Sequence, residues 1–219
     1  DNSNHSLFVL YIVREYTCRQ RIFICKLYLT DLHFNNISLF VIYPMEIISK
    51  NISVQKTARY FLSVENKSPK FLMFVLHGYG MPAYNFLQEF KELYNENFLI
   101  VSPEGLSRFY TKGFYGNIGA SWMTSEDREN EINDYVNYLD EVYNEVLSSL
   151  ESKPDKIIFL GFSQGGATVT RWAVNGKSEA DILIIHSSDI PKDINFDSLK
   201  EKSQKRKIYC VYGDDDKAV

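Results

Sequence analysis

The sequence predicts an α/β fold in which helices flank a mainly parallel central sheet. The apolar run Phe71–Leu76 shows no alternation of polar and apolar residues, which is typical of a strand covered on both faces. In Glu126–Leu150, apolar residues recur every three or four positions, as in an amphipathic helix. Strands and helices of these two kinds alternate along the chain, and this order predicts right-handed βαβ crossovers.

Length and composition favour one soluble domain and exclude several classes of partner. The 219 residues suit a single domain, and a net charge of −4 provides no basic surface for nucleic acid. No apolar run approaches the ~20 residues that a membrane span requires. Cys18, Cys25 and Cys210 have neither metal-ligand spacing nor an even-numbered disulfide framework. We expect a cytoplasmic protein without a transmembrane segment, and the sequence leaves its oligomeric state open.

Residues 1–44 differ from the rest of the sequence. They contain no glycine, and their apolar patches follow neither a period of 2 nor one of 3.6. The chain opens at Asp1, whereas Met45 begins the regularly patterned part. We therefore expect residues 1–44 to be a leader that is not part of the domain. A genuine N-terminal strand pair or a membrane-associating arm is the alternative.

Residues 45–219 are predicted to form the α/β domain. Strands are expected at Ile47–Val54, at Thr57–Val64, where apolar residues fall on alternate positions, and at Phe98–Ser102. Ala83–Tyr94 carries apolar residues at helical spacing. The glycine- and aromatic-rich segment Pro103–Ser125 is expected to form a loop above the site. The remaining expected elements are the helix Glu126–Leu150, the strand Lys156–Leu160, a helix over 166–174, and the strands Asp181–His186 and Arg206–Tyr212.

The motif Gly161-Phe162-Ser163-Gln164-Gly165 is the most informative feature of the sequence. It lies between a predicted strand and a predicted helix, which is the context that a nucleophile elbow requires. In such a turn the serine Oγ stands clear of the sheet, and the N–H of the next residue points at a developing oxyanion. The alternative is a tight turn whose serine only caps the helix.

A second motif, His77-Gly78-Tyr79-Gly80, directly follows the strand Phe71–Leu76. This is where hydrolases with such an elbow place the other oxyanion donor. With a later strand ending Tyr212-Gly213-Asp214-Asp215-Asp216, the set resembles the α/β-hydrolase superfamily. More narrowly, it resembles the phospholipase/carboxylesterase group that includes acyl-protein thioesterases. Met81 departs from that group, in which thioesterases usually carry aspartate at this position.

The motifs and the resemblance together imply a site for ester or thioester hydrolysis. Ser163 is the expected nucleophile, and the backbone N–H groups of Tyr79 and Gln164 are the expected oxyanion donors. Gln164→Ala should therefore retain much of the activity, whereas Gln164→Pro, which removes the N–H, should abolish it. Trp122, in a segment that resembles the group's tryptophan-bearing loop, and His77 are expected at the substrate pocket, with His77 shaping the loop that carries Tyr79. The substrate would be a small-molecule or lipid-like ester.

The acid and the base of the expected triad belong to the end of the chain. The group's G-x-x-D pattern selects Asp216 as the acid, with Asp214 as the alternative. The base should be a histidine that follows the acid, and none of the last three residues is one. We expect the chain to stop before its catalytic histidine and to lack its last strand and helix region, and hence to turn over little substrate. His186, which precedes the acid, is the alternative base.

No metal or cofactor is expected, because zinc-protease, C-x-x-C, Walker and dinucleotide signatures are missing from the sequence. The elbow does not encode the leaving group. A serine peptidase or a polyester depolymerase of the same fold therefore remains an alternative. A non-catalytic binding protein with this fold is the alternative from another class.

Overall fold

The computed structural model describes residues 8–15, 24–31, 36–40, 47–204 and 206–213. The chain divides into two compact units, Asp1–Gln55 and Lys56–Val219. In the first unit, the strands β1 (Phe8–Glu15), β2 (Ile24–Asp31) and β3 (Asn36–Phe40) form an antiparallel sheet in the order β1-β2-β3. Strands in the leader were the alternative that the sequence left open. That residues 1–44 are not part of the domain stays a prediction.

The second unit alternates strands with helices. Its elements are β4 (Tyr60–Leu62), β5 (Phe71–Leu76), α1 (Ala83–Gln88), β6 (Phe98–Pro103), β7 (Ser107–Tyr110), β8 (Ile118–Ser121), α2 (Arg128–Ser149), β9 (Lys156–Phe162), α3 (Gln164–Asn175), β10 (Ile182–His186), α4 (Phe196–Ser203) and β11 (Lys207–Val211). Lys91–Leu93 and Gly113–Tyr115 are short 3₁₀ helices.

Within the described residues, six strands form the central sheet in the order β11-β10-β9-β5-β6-β4. Neighbouring strands run parallel, except that β4 runs antiparallel to β6. The α/β fold with a mainly parallel sheet is therefore confirmed. The expected loop over 103–125 is instead largely the antiparallel hairpin β7–β8. Phe109 and Tyr110 lie on β7, whereas Phe114 and Tyr115 lie in the 3₁₀ helix that connects the two strands.

Side chains on both faces of the sheet explain the unbroken apolar run of β5. Leu72, Phe74 and Leu76 face one core, whereas Met73 and Val75 face a second core beside α1. The first core includes the buried stripe of α2 and the stacked rings of Phe159 and Trp172, whose centroids are 3.8 Å apart. The packing of these two cores against the two faces of the sheet holds the carboxyl ends of the strands in a fixed arrangement.

Three expected elements near the start of the domain are wrong in type or length. Ile47–Val54 is not a strand, because it pairs with none of the described strands, and Ile47 is 94% exposed. The expected strand Thr57–Val64 shrinks to β4, which lies at the sheet edge and has only the end of β6 to pair with. The helix expected over Ala83–Tyr94 ends at Gln88, where the next N–H groups bond three residues back rather than four.

No helix in the described part of the chain has the length and apolar character to cross a bilayer.

Candidate active site

The candidate site lies where the parallel strands end. Because β5, β6, β9 and β10 run in the same direction, the segments that follow them emerge at one edge of the sheet. The His77–Gly80 motif follows β5, the β7–β8 hairpin follows β6, and Ser163 follows β9. The Ser163 N–H donates to the His186 carbonyl over 2.9 Å, which fixes the serine beside the end of β10.

Ser163 occupies a strained turn between β9 and α3. Its φ of 53° and ψ of −119° lie in a region that non-glycine residues rarely adopt. A Cβ on Gly161 would lie 2.1 Å from the Gly165 carbonyl oxygen, and a Cβ on Gly165 would lie 2.1 Å from that of Leu76. Both flanking positions therefore require glycine, and the turn is as tight as the motif predicts.

Gln164 is the first residue of α3, so its N–H has no partner within the helix. The positive end of the helix dipole lies at the same place. Both features favour negative charge beside the Ser163 side chain.

The side chain of Gln164 has a structural role that sequence reasoning missed. Its Oε1 accepts from the Trp122 N–H over 3.1 Å, and its Nε2 donates to the Met123 carbonyl over 2.8 Å and to the Ser121 hydroxyl over 3.1 Å. These contacts argue against the expectation that Gln164→Ala retains much of the activity. Nothing in the sequence indicated these partners, because they lie more than forty residues earlier.

The loop after β5 is closed against the β7–β8 hairpin. The Gly80 N–H donates to the Ala120 carbonyl over 2.8 Å, and Gly80 adopts a φ of 74°. A Cβ on Gly119 would lie 2.6 Å from the Gly80 carbonyl oxygen, so the two chains approach as closely as glycine allows. Tyr79, between these contacts, exposes 62% of its side chain, and its ring lies 5.2 Å from that of Phe109.

His77 is a buried structural residue in this loop. Its Nε2 accepts from the Gly105 N–H over 2.9 Å, and its Nδ1 lies 2.8 Å from the Gly78 carbonyl oxygen. These partners assign the proton to Nδ1, which then donates to Gly78. Burial lowers the pKa of His77 and favours this neutral form.

Trp122 packs directly on His77. Its Nε1 donates to the His77 carbonyl over 2.8 Å, and the two rings stack at 4.9 Å. Trp122 is 1% exposed and His77 is 0% exposed. The expectation that both line a pocket is not met, because their side chains fill the space behind the loop. The expected loop-shaping role of His77 agrees with its contacts.

A cluster of charges joins the segments beside α3. Arg171, almost fully buried, makes a two-point contact with Asp193 at 2.9 and 3.0 Å, and Arg128 contacts the same carboxylate at 2.9 Å. The Arg171 guanidinium lowers the pKa of Asp193 to about 2. Through this pairing the start of α2, the helix α3 and the segment after β10 are tied together.

In the described residues, no three His, Cys, Asp or Glu side chains are grouped so that they could hold a metal ion.

The phospholipase/carboxylesterase family model matches residues 61–219, which is more than half of the chain. The chain belongs to this family of α/β-hydrolases. Among curated proteins, none matches the sequence significantly. The family that the two glycine motifs indicated is thus confirmed.

Solved structures of carboxylesterase type share the fold. The chain is similar to Zea mays acyl-protein thioesterase 2, with 18% identity and a TM-score of 0.51 over 70% of this chain and 75% of that one. It is also similar to a Dyadobacter fermentans phospholipase/carboxylesterase, with 14% identity and a TM-score of 0.51 over 74% of this chain and 90% of that one. A Mesorhizobium loti carboxylesterase matches with 14% identity and a TM-score of 0.51 over 71% of this chain and 84% of that one. At these identities the likeness shows the fold.

Asp216, the expected acid, lies outside the described residues, as does Asp214. The strand that precedes them is placed: β11 lies next to β10, and the Val211 carbonyl accepts from the Ser187 N–H over 2.8 Å. The alternative base His186 is half-buried, with its Nδ1 3.0 Å from the Ser187 hydroxyl and its ring 5.3 Å from that of Phe162. Its ring therefore lies between the next residue of its own chain and the last residue of the neighbouring strand β9.

A cavity of about 520 Å³ lies at the opposite edge of the sheet. It is lined by residues at the start of β9, β10 and β11, including Ile157, Asp181 and Arg206. Ser163 is at the carboxyl end of β9, so this cavity is not part of the candidate site.

Proposed function

We propose that the protein is a serine hydrolase that cleaves carboxylic ester or thioester bonds through an acyl-enzyme on Ser163. The observation that carries this proposal is the strained turn of Ser163 between two obligatory glycines. A backbone in this region costs about 1–3 kcal/mol and persists at sites where the strain serves a function. Family membership supports ester hydrolysis as the activity.

In the proposed reaction, Ser163 Oγ attacks the acyl carbon while a histidine base accepts its proton. The carbonyl oxygen becomes an oxyanion that accepts from the N–H groups of Tyr79 and Gln164. The attack has by then formed the bond between Oγ and the acyl carbon. Collapse of the oxyanion restores the carbonyl and breaks the bond from the acyl carbon to the ester oxygen or thioester sulfur, which leaves as an alcohol or thiol with the proton from the base. Water then attacks the acyl group by the same route and frees the serine.

Asp216 is proposed to orient the base, which we expect to follow it in the chain. Since β11 pairs in parallel with β10, and β10 pairs in parallel with β9, the strand β11 ends at the edge of the sheet that carries Ser163. This placement of the strand supports an acid at its end.

A small or lipid-like ester is the proposed substrate. The hairpin that contacts the Tyr79 loop carries exposed aromatic residues, among them Tyr110, Phe114 and Tyr115, the last two being 87% and 99% exposed. Apolar rings beside a site favour apolar acyl groups.

A fluorophosphonate probe tests the proposal on the full-length protein. We expect covalent labelling of Ser163 and none in Ser163→Ala, because the probe reports a nucleophile activated by a base. Folded wild-type protein that stays unlabelled would support a non-catalytic binding protein. Esterase, thioesterase and amidase panels then decide between ester hydrolysis and the peptidase alternative, and faster amide cleavage would overturn the substrate class.

A further inference from the structure

Both proposed oxyanion donors are attached to one short piece of chain, residues 120–123, which we name the support segment. It comprises the end of β8 and the two residues after it, Trp122 and Met123. The segment is buried, so its position is set by packing and is little affected by solvent.

The first attachment is the Gln164 side chain. Both amide protons of its Nε2 have acceptors, at the Ser121 hydroxyl and the Met123 carbonyl, while Oε1 accepts from the Trp122 N–H. Only a primary amide offers a donor and an acceptor in this geometry. A carboxylate would lose the donors and place negative charge against the Met123 carbonyl.

The second attachment is the loop that carries Tyr79. The Ala120 carbonyl accepts from the Gly80 N–H, and the Trp122 indole N–H donates to the His77 carbonyl, each over 2.8 Å. The donor residue Tyr79 is therefore held on both sides by the support segment.

We propose that the Gln164 side chain is a positioning group that sets the separation of the two oxyanion donors. This inference rests on the proposed function. The side-chain amide binds the start of α3 to the support segment, and the support segment in turn binds the Tyr79 loop. The backbone N–H groups of Gln164 and Tyr79 are therefore both positioned by the same buried residues. Gln164 thus has two separate roles, with its N–H touching the reacting oxygen and its side chain fixing where the other donor lies.

The test is made on the full-length protein. It compares Gln164→Met, which keeps the length of the side chain without its polar atoms, and Gln164→Glu with the wild type. Gln88→Met is the matched control, because Gln88 is exposed at the end of α1. A soluble activated ester gives kcat and KM. A trifluoromethyl ketone adds to the Ser163 hydroxyl and gives a hemiketal oxyanion. Its inhibition constant therefore depends on the oxyanion donors, the N–H groups of Tyr79 and Gln164.

We expect kcat to fall about 10–100-fold in both variants, somewhat less than the loss of a whole donor. KM should stay within about threefold, and the inhibition constant of the ketone should rise in parallel with the fall in kcat. Gln88→Met should match the wild type in all three. If the Gln164 variants do not fold, Ser121→Ala, which removes one acceptor of the amide, should show the same pattern with a smaller loss.

A wild-type kcat in folded Gln164→Met would overturn the inference. So would a rise in KM with kcat unchanged, since it would mean that the side chain binds substrate, and so would an unchanged inhibition constant. Failure of the proposed function is seen separately, as wild-type protein that the fluorophosphonate does not label.

Discussion

At the scale of single residues, the candidate site depends on three positions with steric demands. Gly161 and Gly165 allow strand and helix to approach until an added Cβ would overlap a carbonyl oxygen. Ser163, which lies between them, adopts an energetically unfavourable φ of 53°. The sequence predicted this turn because the need for glycine on both sides of the serine depends only on residues within the motif.

The strain at Ser163 predicts an effect on stability that opposes activity. Ser163→Gly should unfold at higher urea concentration than Ser163→Ala, with a free energy of unfolding about 1 kcal/mol greater, because glycine accepts a positive φ and alanine does not. Both variants should be inactive. Equilibrium urea unfolding measures the difference, and equal stabilities would show that the turn is not strained.

At the scale of elements, the buried Asp140 joins α2 to the end of α3. Its carboxylate accepts from the Trp172 indole N–H at 2.8 Å, from the Lys177 N–H at 2.9 Å, and from the Ser178 N–H and hydroxyl. Burial opposes the charge of Asp140, but these hydrogen bonds outweigh it and lower its pKa. The sequence showed only one acidic residue on an otherwise apolar helix face.

Asp140→Asn should lower the free energy of unfolding by about 2–3 kcal/mol at pH 7, because it replaces one acceptor oxygen by an NH₂ donor and removes the charge that strengthens the remaining hydrogen bonds. Since the folded pKa lies below the unfolded value, this contribution is present above about pH 4 and is lost as pH falls through the folded pKa. The stability gap to the wild type should therefore narrow below pH 4. The exposed Asp134→Asn on the same helix is the control, and an equal loss there would contradict the assignment.

At the scale of the whole molecule, the chain contains two units, and the family match begins at residue 61. Within the second unit, β4 closes one edge of the sheet, and Arg59 beside it pairs at 2.6 Å with Glu104, which is only 4% exposed. The domain therefore needs the residues just before β4. Among the described residues, all six strands of the central sheet come from Lys56–Val219.

Removal of residues 1–44 from the full-length protein, so that it starts at Met45, should leave its melting temperature and its esterase activity unchanged. A start at Lys67 is the informative contrast, because it removes β4 and leaves Glu104 buried without Arg59, which should destabilise the protein by several kcal/mol. Thermal unfolding and ester turnover measure both. A marked drop in melting temperature for the Met45 start would show that the leader packs into the domain.

The sequence by itself determined the strand and helix alternation, the turn of Ser163 and the family, because each depends on neighbours within a few positions. Only the tertiary structure decided that Ile47–Val54 forms no strand, that His77 and Trp122 are buried, and that the Gln164 side chain holds the support segment. These outcomes depend on partners far apart in sequence. Apolar character favours burial and polar atoms require hydrogen-bond partners, but the packing of the folded chain selects which residues meet.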